Sequence, residues 1–148
     1  PQVWLIDLRG GEPWQLTSLE RGVRSFSWLD DGAMLLVAQE DPTYYDQTIR
    51  QKKDTSQVVD DEAHASPVRL FRFDVKKREA KRLSENADRI QNANVSPDGA
   101  WAVTTHDRSL RYVYDQSVKP VNFLYDLKTG GAKQLFADGK LRARQISW

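Results

Sequence analysis

The stretch VSPDGAWAVTT, residues 95–105, decides the fold, because it repeats WLDDGAMLLVA, residues 28–38, at an offset of 67 residues. The same offset carries WLIDL at 4–8 onto FRFDV at 71–75. Self-similarity at a period of tens of residues is typical of repeat architectures. We therefore expect one structural unit to recur along this chain.

A third copy of the repeat follows 52 residues after the second. It keeps the apolar and acidic positions of the strand and the leucine that ends the copy, at Phe123, Tyr125, Asp126, Leu127 and Leu135. The first copy begins without a front half, and the last residues, 146–148, match the start of a further copy. We expect the chain to be part of a longer protein.

Local sequence signals predict β-structure almost throughout. Short runs rich in branched and aromatic residues, bounded by turn residues, predict strands at 3–8, 24–28, 34–39, 68–75, 102–105 and 121–127. Only the segment 42–53 is suited to a helical turn or two.

Aspartates mark the predicted turns. The inner hairpins are expected to turn at Asp31-Gly32 and Asp98-Gly99, with each glycine at positive φ. Asp31 and Asp98 are expected to hydrogen-bond the turn backbone, as are the three aspartates that precede the outer hairpins, Asp7, Asp74 and Asp126. These acids belong to different repeats, which favours turn capping over a calcium site.

Four short antiparallel strands per repeat, with apolar faces that only a neighbouring unit can cover, are typical of propeller blades. The predicted class is all-β, a partial β-propeller with about two complete four-stranded antiparallel blades and half-blades at both ends. We expect Trp4, Trp28 and Trp101 to pack between blades. The predicted parts are an outer hairpin at 1–17, a blade at 22–84 with an insert at 41–67, a blade at 88–136 with an insert at 107–120, and the first strand of another blade at 141–148.

The two inserts fall at the same point of their blades, so we expect them on one side, which is often the binding side. Aromatic and arginine side chains in them are candidates to line a peptide channel or contact a neighbouring domain. The competing interpretation is that they pin each insert to its own blade. The candidates are Tyr44, Tyr45, Arg108, Arg111, Tyr112 and Tyr114.

Both histidines have a plain and a functional interpretation. His64 could bind a metal with the acids of DDEAH at 60–64, but a histidine beside acids is commonly a solvated loop residue. His106 precedes Asp107, and such a pair could orient a base, but no nucleophile is identifiable, so we favour a strand-end residue. The sequence predicts no catalytic residue, no metal ligand and no cofactor.

Composition excludes several classes of partner. The net charge is +1, from 22 basic and 21 acidic residues, which gives no electrostatic argument for nucleic acid or an anionic membrane. The chain has no cysteine, so disulfides are excluded and the compartment, periplasmic, secreted or cytoplasmic, stays open. No apolar run approaches the roughly 18 residues of a membrane span.

The repeat pattern D-L-x-x-G-x-x-x-Q-L-T followed by S-P-D-G-x-x-x-A-V is similar to the blades of Tol-type periplasmic propellers. It is equally similar to the propeller domain of prolyl oligopeptidase family serine peptidases. KKDTSQVVDDEAHASPVRLFRFDV, residues 52–75, looks like the acylaminoacyl-peptidase and dipeptidyl-aminopeptidase branch. RSLRYVYDQSVKPVNFLYDLKTG, residues 108–130, resembles a blade of bacterial members of that branch. These two stretches favour the peptidases.

The peptidase resemblance implies a propeller that screens peptides from an α/β-hydrolase domain with a Ser-His-Asp triad. This sequence contains no G-x-S-x-G elbow and lacks the alternating strand and helix pattern of a hydrolase sheet. We expect a non-catalytic filter whose partners are the parent's hydrolase domain and peptide substrates. The alternative is part of a stand-alone Tol-type propeller that binds proteins without catalysis. Unpaired strands at the ends of the chain predict self-association.

Overall fold

The computed structural model describes the residues 1–42, 44–52, 65–109, 117–138, 146 and 148, with the backbone alone at 45, 46 and 50. Within these ranges the chain forms ten strands and one helix. In chain order they are β1 Trp4–Leu5, β2 Trp14–Gln15, β3 Ser25–Asp30, β4 Ala33–Gln39, α1 Tyr44–Gln51, β5 Val68–Asp74, β6 Glu79–Arg82, β7 Arg89–Val95, β8 Trp101–Asp107, β9 Val121–Asp126 and β10 Ala132–Leu135. Helix α1 lies where the sequence predicts helical turns.

The strands group into one hairpin and two four-stranded antiparallel units. Strands β1 and β2 form the N-terminal hairpin. Strands β3 to β6 pair in sequence order as blade 1, and β7 to β10 as blade 2. A single parallel bridge, between Val68 and Arg89, joins the two blades. The all-β, partial β-propeller architecture is confirmed, while most of the strand expected at 141–148 lies outside the described residues.

The N-terminal hairpin is a structural copy of the outer hairpin β5–β6. In each, a carbonyl at the start of the hairpin accepts from the leucine that follows the second strand, and the same residue donates its amide to a hydroxyl. The bonds are Leu16 N to Val3 O at 2.9 Å and Leu83 N to Leu70 O at 2.8 Å, with Val3 N to Thr17 Oγ1 and Leu70 N to Ser84 Oγ both at 2.9 Å. The sequence repeat is therefore a repeat of hydrogen bonds.

Strand β4 is buried on both faces, which explains its unbroken apolar run from residue 33 to 38. Leu35 and Val37 pack into the core between blade 1 and blade 2. Met34 and Leu36 pack on the opposite face, against the N-terminal hairpin. Fully burying each such side chain contributes roughly 1.5–3 kcal/mol, so β4 is the centre of the folded chain.

The aspartates before the outer hairpins cap the turns, as predicted. Asp74 accepts hydrogen bonds from the amides of Lys76 at 3.0 Å and Lys77 at 2.9 Å, and Asp126 accepts from Lys128 at 2.8 Å. Backbone donors, led by Lys77, hold the pKa of Asp74 below its ordinary value because they stabilise the charged carboxylate.

The two inner turns differ from each other, which corrects one expectation. Gly99 takes the predicted left-handed conformation, with φ of 67°, and a Cβ there would lie 2.7 Å from the Leu29 carbonyl oxygen of blade 1. Gly32 does not have a positive φ. Its amide bonds Oδ1 of Asp30 at 2.7 Å, so in this turn the cap comes from Asp30 rather than Asp31.

Three tryptophans expected between blades are partly exposed in the described part of the chain, so their packing stays a prediction. Trp4, Trp28 and Trp101 have exposed fractions of 56%, 47% and 41%. Trp4 and Trp28 lie on the side of the chain away from blade 2, and Trp101 lies on the side away from blade 1. Their positions in the repeat belong to blade interfaces, but in the described part of the chain no blade covers them.

Candidate functional site at the insert edge

The insert edge is the edge at which β4 and β8 end and β5 and β9 begin. The segments 40–67 and 108–120 both leave the sheets here, because equivalent points of successive blades lie on the same side. A cleft of about 340 Å³ opens at this edge, lined by Ala65, Ala87, Asp88, Arg89, Asp107, Arg108 and Ser109.

Charged groups at the ends of β7 and β8 frame this cleft. Nη2 of Arg89 lies 3.5 Å from Oδ2 of Asp107 and donates to the Ser109 carbonyl at 3.4 Å. Oδ1 of Asp107 accepts from the Ser109 amide at 3.4 Å. These contacts tie the base of the second insert to blade 2, while the Arg108 side chain stays exposed at the mouth.

His106 lies beneath the cleft, with 1% of its surface exposed. Its Nδ1 is 2.7 Å from Oδ1 of Asp88, and its Nε2 is 2.9 Å from the hydroxyl of Thr104. This chain of hydroxyl, imidazole and carboxylate has the spacings of a hydrolase relay. Thr104 is itself fully buried, so its hydroxyl cannot reach a substrate. The relay fastens the start of β7 to β8.

Both ring nitrogens of His106 are engaged, Nδ1 with Asp88 and Nε2 with the Thr104 hydroxyl, and that hydroxyl donates to the Phe123 carbonyl at 3.4 Å. Burial alone would raise the pKa of Asp88, but hydrogen bonds from His106 and Asn86 outweigh it and the pKa is lowered. The ring of Tyr125 stacks on His106 at 5.9 Å. Burial, with the Asp88 charge, raises the pKa of Tyr125 to about 12, so its hydroxyl stays neutral.

Two arginines lie near each other where the innermost strands begin. Arg24 precedes β3, and Arg89 is the first residue of β7. Burial and the neighbouring charge of Arg89 lower the pKa of Arg24, because both disfavour a second cation there. Guanidinium groups at such a place suit a carboxylate.

A network of ion pairs fixes the base of the first insert. Glu40 follows β4, and its Oε1 lies 2.9 Å from Nη1 of Arg82 and 3.5 Å from Nε of Arg69. Glu85 completes the network, at 3.1 Å from Arg82 and 3.4 Å from Arg69. The hydrogen bond to Glu40 raises the pKa of Arg82.

The structure brings one of the six predicted contact residues to the cleft, namely Arg108. The side chain of Tyr44, on α1, is exposed. The side chain of Tyr45 lies outside the described residues, as do Arg111, Tyr112 and Tyr114 within 110–116. His64 and the acids beside it also lie outside the described residues.

Sequence reasoning missed the partner of His106. The predicted strand-end residue agrees with the place of His106 near the end of β8, but its side chain is paired with Asp88, 18 positions away, and that partner was not predicted. The observed register of the β7–β8 hairpin decides this pairing, since Arg89 lies opposite Asp107 and Ile90 opposite His106. Counting outward from the turn would place Gln91 opposite His106, because the bulge between Ile90 and Asn92 that shifts the register has no signal in the sequence.

A second candidate surface is the N-terminal face, formed by exposed apolar side chains at the end away from blade 2. Ile6 is 59% exposed, whereas its counterpart in the next copy, Phe73, is 2% exposed and packs against the N-terminal hairpin. Trp4, Leu8 and Phe26 are exposed at the same end. In the described part of the chain no blade covers this face.

Two classes of site are not seen in the described residues. Within these ranges, no group of three or more histidine and acidic side chains is placed to hold a metal ion. No helix of the described residues is both long enough and apolar enough to cross a bilayer.

Comparison with known proteins supports the fold. The chain matches no protein-family model and no curated protein sequence. Among solved structures it is similar to TolB from Acinetobacter baumannii, a β-propeller, with a TM-score of 0.59 and 21% sequence identity over 91% of this chain and 26% of that one. The chain therefore spans about a quarter of the length of that structure. At this identity the likeness shows the fold, a partial β-propeller.

Proposed function

We propose that this chain is part of a non-catalytic β-propeller that acts by binding other polypeptides. The observation that supports this most directly is the N-terminal face, where Trp4, Ile6 and Leu8 are exposed. Their counterparts in the next copy, Phe71, Phe73 and Val75, pack against a neighbouring unit. A surface with the chemistry of a blade interface favours association with another β-rich polypeptide.

Lack of catalysis in this chain is part of the proposal. A hydrolase needs a nucleophile that a substrate can reach and a base that activates it. In the relay of Thr104, His106 and Asp88, an imidazole contacts a hydroxyl as a base would. A substrate cannot reach that hydroxyl, because Thr104 is buried. The purified chain is therefore expected to hydrolyse neither aminoacyl nitroanilides nor nitrophenyl esters. Turnover that a serine-directed fluorophosphonate abolishes would contradict this.

Self-association is the simplest test of the binding surface. We expect the sedimentation coefficient of the chain to rise with protein concentration. The triple variant Trp4→Ser, Ile6→Ser, Leu8→Ser removes the exposed face and should remain monomeric, while Val118→Ser, exposed on the second insert, should behave like the wild-type chain. A wild-type chain that is monomeric at high concentration contradicts this part of the proposal.

The second candidate function is gating of peptides in front of a hydrolase domain. The insert edge favours it, because a cleft with Arg89 and Arg108 in its lining could receive a peptide carboxylate. Binding of short acidic peptides to the chain, followed by fluorescence anisotropy, tests this candidate. Loss of binding in Arg108→Gln, but not in Arg78→Gln on the opposite edge of blade 1, would support it. Equal binding by both variants would count against it.

A further inference from the structure

A row of hydrogen-bonded polar side chains runs from blade 1 to blade 2 beneath the insert edge. It begins at Ser84, directly after β6, and passes through Asn86 and Asp88 in the segment between the blades. It ends at His106 and Thr104 on β8. Ser84 and Thr104 are fully buried, and His106 is 1% exposed. We call these five side chains the junction network.

In the first half of the junction network, the donors point toward Asp88. The Ser84 hydroxyl donates its one proton to Oδ1 of Asn86 at 2.7 Å. Nδ2 of Asn86 donates to Oδ1 of Asp88 at 3.0 Å and to the Val68 carbonyl at 2.9 Å. A carboxylate has acceptor sites only. Because Nδ1 of His106 lies 2.7 Å from the same Asp88 oxygen, this nitrogen carries a proton.

The second half of the junction network decides the other ring nitrogen. A threonine hydroxyl has a single proton, and that of Thr104 donates to the Phe123 carbonyl at 3.4 Å. The Thr104 oxygen is then the acceptor for Nε2 of His106, which lies 2.9 Å away. An imidazole with a proton on both nitrogens is a charged imidazolium. In this state the ring cannot take a proton from Thr104, so it differs from the base of a hydrolase relay.

The groups packed on the ring suit a cation. Burial disfavours a charged Asp88, but hydrogen bonds from His106 and Asn86 outweigh it and lower the pKa of this carboxyl. Tyr125 of β9 stacks on the ring at 5.9 Å, and its raised pKa of about 12 keeps its hydroxyl neutral. The Phe123 ring lies 4.6 Å from the imidazole. Asp88 is therefore the charge that His106 contacts.

The other charged groups of the neighbouring strands are paired among themselves. Arg69 of β5 lies within 3.5 Å of Glu40 and of Glu85. Arg89 of β7 and Asp107 of β8 lie 3.5 Å apart. Within the described residues, these pairs leave the Asp88 carboxylate as the counter-ion of the imidazolium.

We propose that His106 is a buried imidazolium whose pairing with Asp88 makes the contact between the two blades sensitive to pH. The pair lies where the blades meet, because the Asp88 carbonyl accepts from the Val68 amide at 3.3 Å beside the parallel bridge of Val68 with Arg89. As the pH rises, loss of the second ring proton removes the charge of the ring and one of its two donors. The inference is independent of what the chain binds.

Nitrogen-15 NMR of the imidazole ring tests the protonation state directly. The chain has two histidines, so His64→Gln leaves His106 as the one that remains. At about pH 8 a free imidazole is mostly neutral, whereas we expect His106 to keep a proton on both ring nitrogens. A ring nitrogen without a proton at this pH would overturn the imidazolium.

Thr104→Val, made in the same background, tests the acceptor. It keeps the shape of the side chain and removes the oxygen that accepts from Nε2, so we expect His106 to have one ring proton at about pH 8. Thr105→Val is the matched control, because the Thr105 hydroxyl bonds Asn122 at 3.0 Å on the other face of the strand. The control should keep both ring protons. Two ring protons in Thr104→Val would overturn the role of its oxygen.

Urea unfolding as a function of pH tests the contact between the blades. The contribution of the second ring proton is present below the pH at which a free imidazole titrates and is lost as the pH rises. From about pH 6 to about pH 10, the unfolding midpoint of the wild-type chain should therefore fall further than that of Thr104→Val. Lysines and tyrosines titrate in both proteins, so the difference reports on His106. Equal pH dependence would overturn the pH-sensitive contact, even with a doubly protonated ring.

Discussion

The two blades use the same face of the sheet in different ways. In blade 1, Val37 lies opposite Leu70, and both are buried in the core shared with blade 2. The equivalent pair in blade 2 is Thr105 and Asn122, whose side chains hydrogen-bond each other at 3.0 Å. Strand register decides which residues meet, and equivalent positions of the two blades are filled by an apolar pair in one and a hydrogen-bonded pair in the other. An apolar pair needs a covering blade, whereas the amide and hydroxyl pair is satisfied within its own blade.

Replacing the apolar residue by the polar one at these equivalent positions should have the largest effect on the free energy of unfolding. Leu70→Asn places an amide in the core beside Val37, without a partner, and should lower the free energy of unfolding by roughly 4 kcal/mol, from lost burial and an unsatisfied polar group. The reverse change, Asn122→Leu, loses hydrogen bonds to the Thr105 hydroxyl at 3.0 Å and the Thr104 carbonyl at 3.4 Å and should cost about 1 kcal/mol. Urea unfolding measures both. Equal costs would contradict the distinction between the two faces.

The contacts beneath the insert edge also differ between the blades, because the position that His106 occupies in blade 2 is Ala38 in blade 1. Asp88→Asn removes the carboxylate that His106 holds at 2.7 Å and should cost roughly 2 kcal/mol at pH 7. The folded-state pKa of Asp88 is lowered, so its contribution is present above the unfolded value of 3.8 and is lost as the pH falls through the folded value.

The measurement for Asp88 is a series of urea unfolding curves from pH 7 down to pH 2. The wild-type chain should lose more stability than Asp88→Asn below about pH 4, because the variant has no carboxylate to protonate at this position. Glu12→Gln, on the loop between β1 and β2, serves as a control and should follow the wild-type curve. Identical curves for wild type and Asp88→Asn would show that the carboxylate charge of Asp88 does not contribute to stability.

The outer turns differ at one residue in a left-handed conformation. Arg78 in blade 1 and Gly130 in blade 2 have φ of 58° and 79°, and each donates its amide to the carbonyl of an aspartate, Asp74 or Asp126, at 2.8 Å. A Cβ at Gly130 would lie 2.3 Å from the Leu83 carbonyl oxygen. The two turns therefore share a backbone conformation, but the one in blade 2 also needs the space that a glycine leaves.

Gly130→Ala should cost about 1.5 kcal/mol, since it adds left-handed strain and a close contact with Leu83. Arg78→Gly relieves the same strain in blade 1 and should leave stability unchanged or raise it by a few tenths of a kcal/mol, the gain being limited by chain entropy. Thermal unfolding of the two variants compares the turns. A loss in Arg78→Gly as large as that in Gly130→Ala would contradict this account.

Local chemistry explains what the sequence predicted well. Asp74 and Asp126 bond amides two or three residues ahead, so their role depends on no distant part of the chain. The strands and their alternation follow from the repeat in the same way. The partner of His106 was not predicted because it depends on hairpin register, which a bulge between Ile90 and Asn92 shifts. The exposure of tryptophans such as Trp28 depends on what covers each blade, and that is a property of the assembled fold.

The bases of the two inserts give the smallest expected difference. Two acids and two arginines form ion pairs at the first insert, with Glu40 bonded to Arg82 at 2.9 Å, whereas the ion pair described at the second insert is longer, 3.5 Å between Arg89 and Asp107. Exposed ion pairs contribute little, so Arg82→Gln should cost about 0.5 kcal/mol, and this cost should shrink in 1 M salt. Arg89→Gln should cost still less, because the geometry of its pair is poorer.

Urea unfolding at low and high salt measures both arginine variants. Arg82 bridges the first insert to β6, so its loss should also quicken proteolysis within residues 41–67 while the second insert is cut at the wild-type rate. If salt does not change the loss of unfolding free energy in these variants, the arginine side chains act through packing of their aliphatic stems and not through charge. Equal acceleration of cleavage in both inserts would show that Arg82 stabilises the blade as a whole and not the base of one insert.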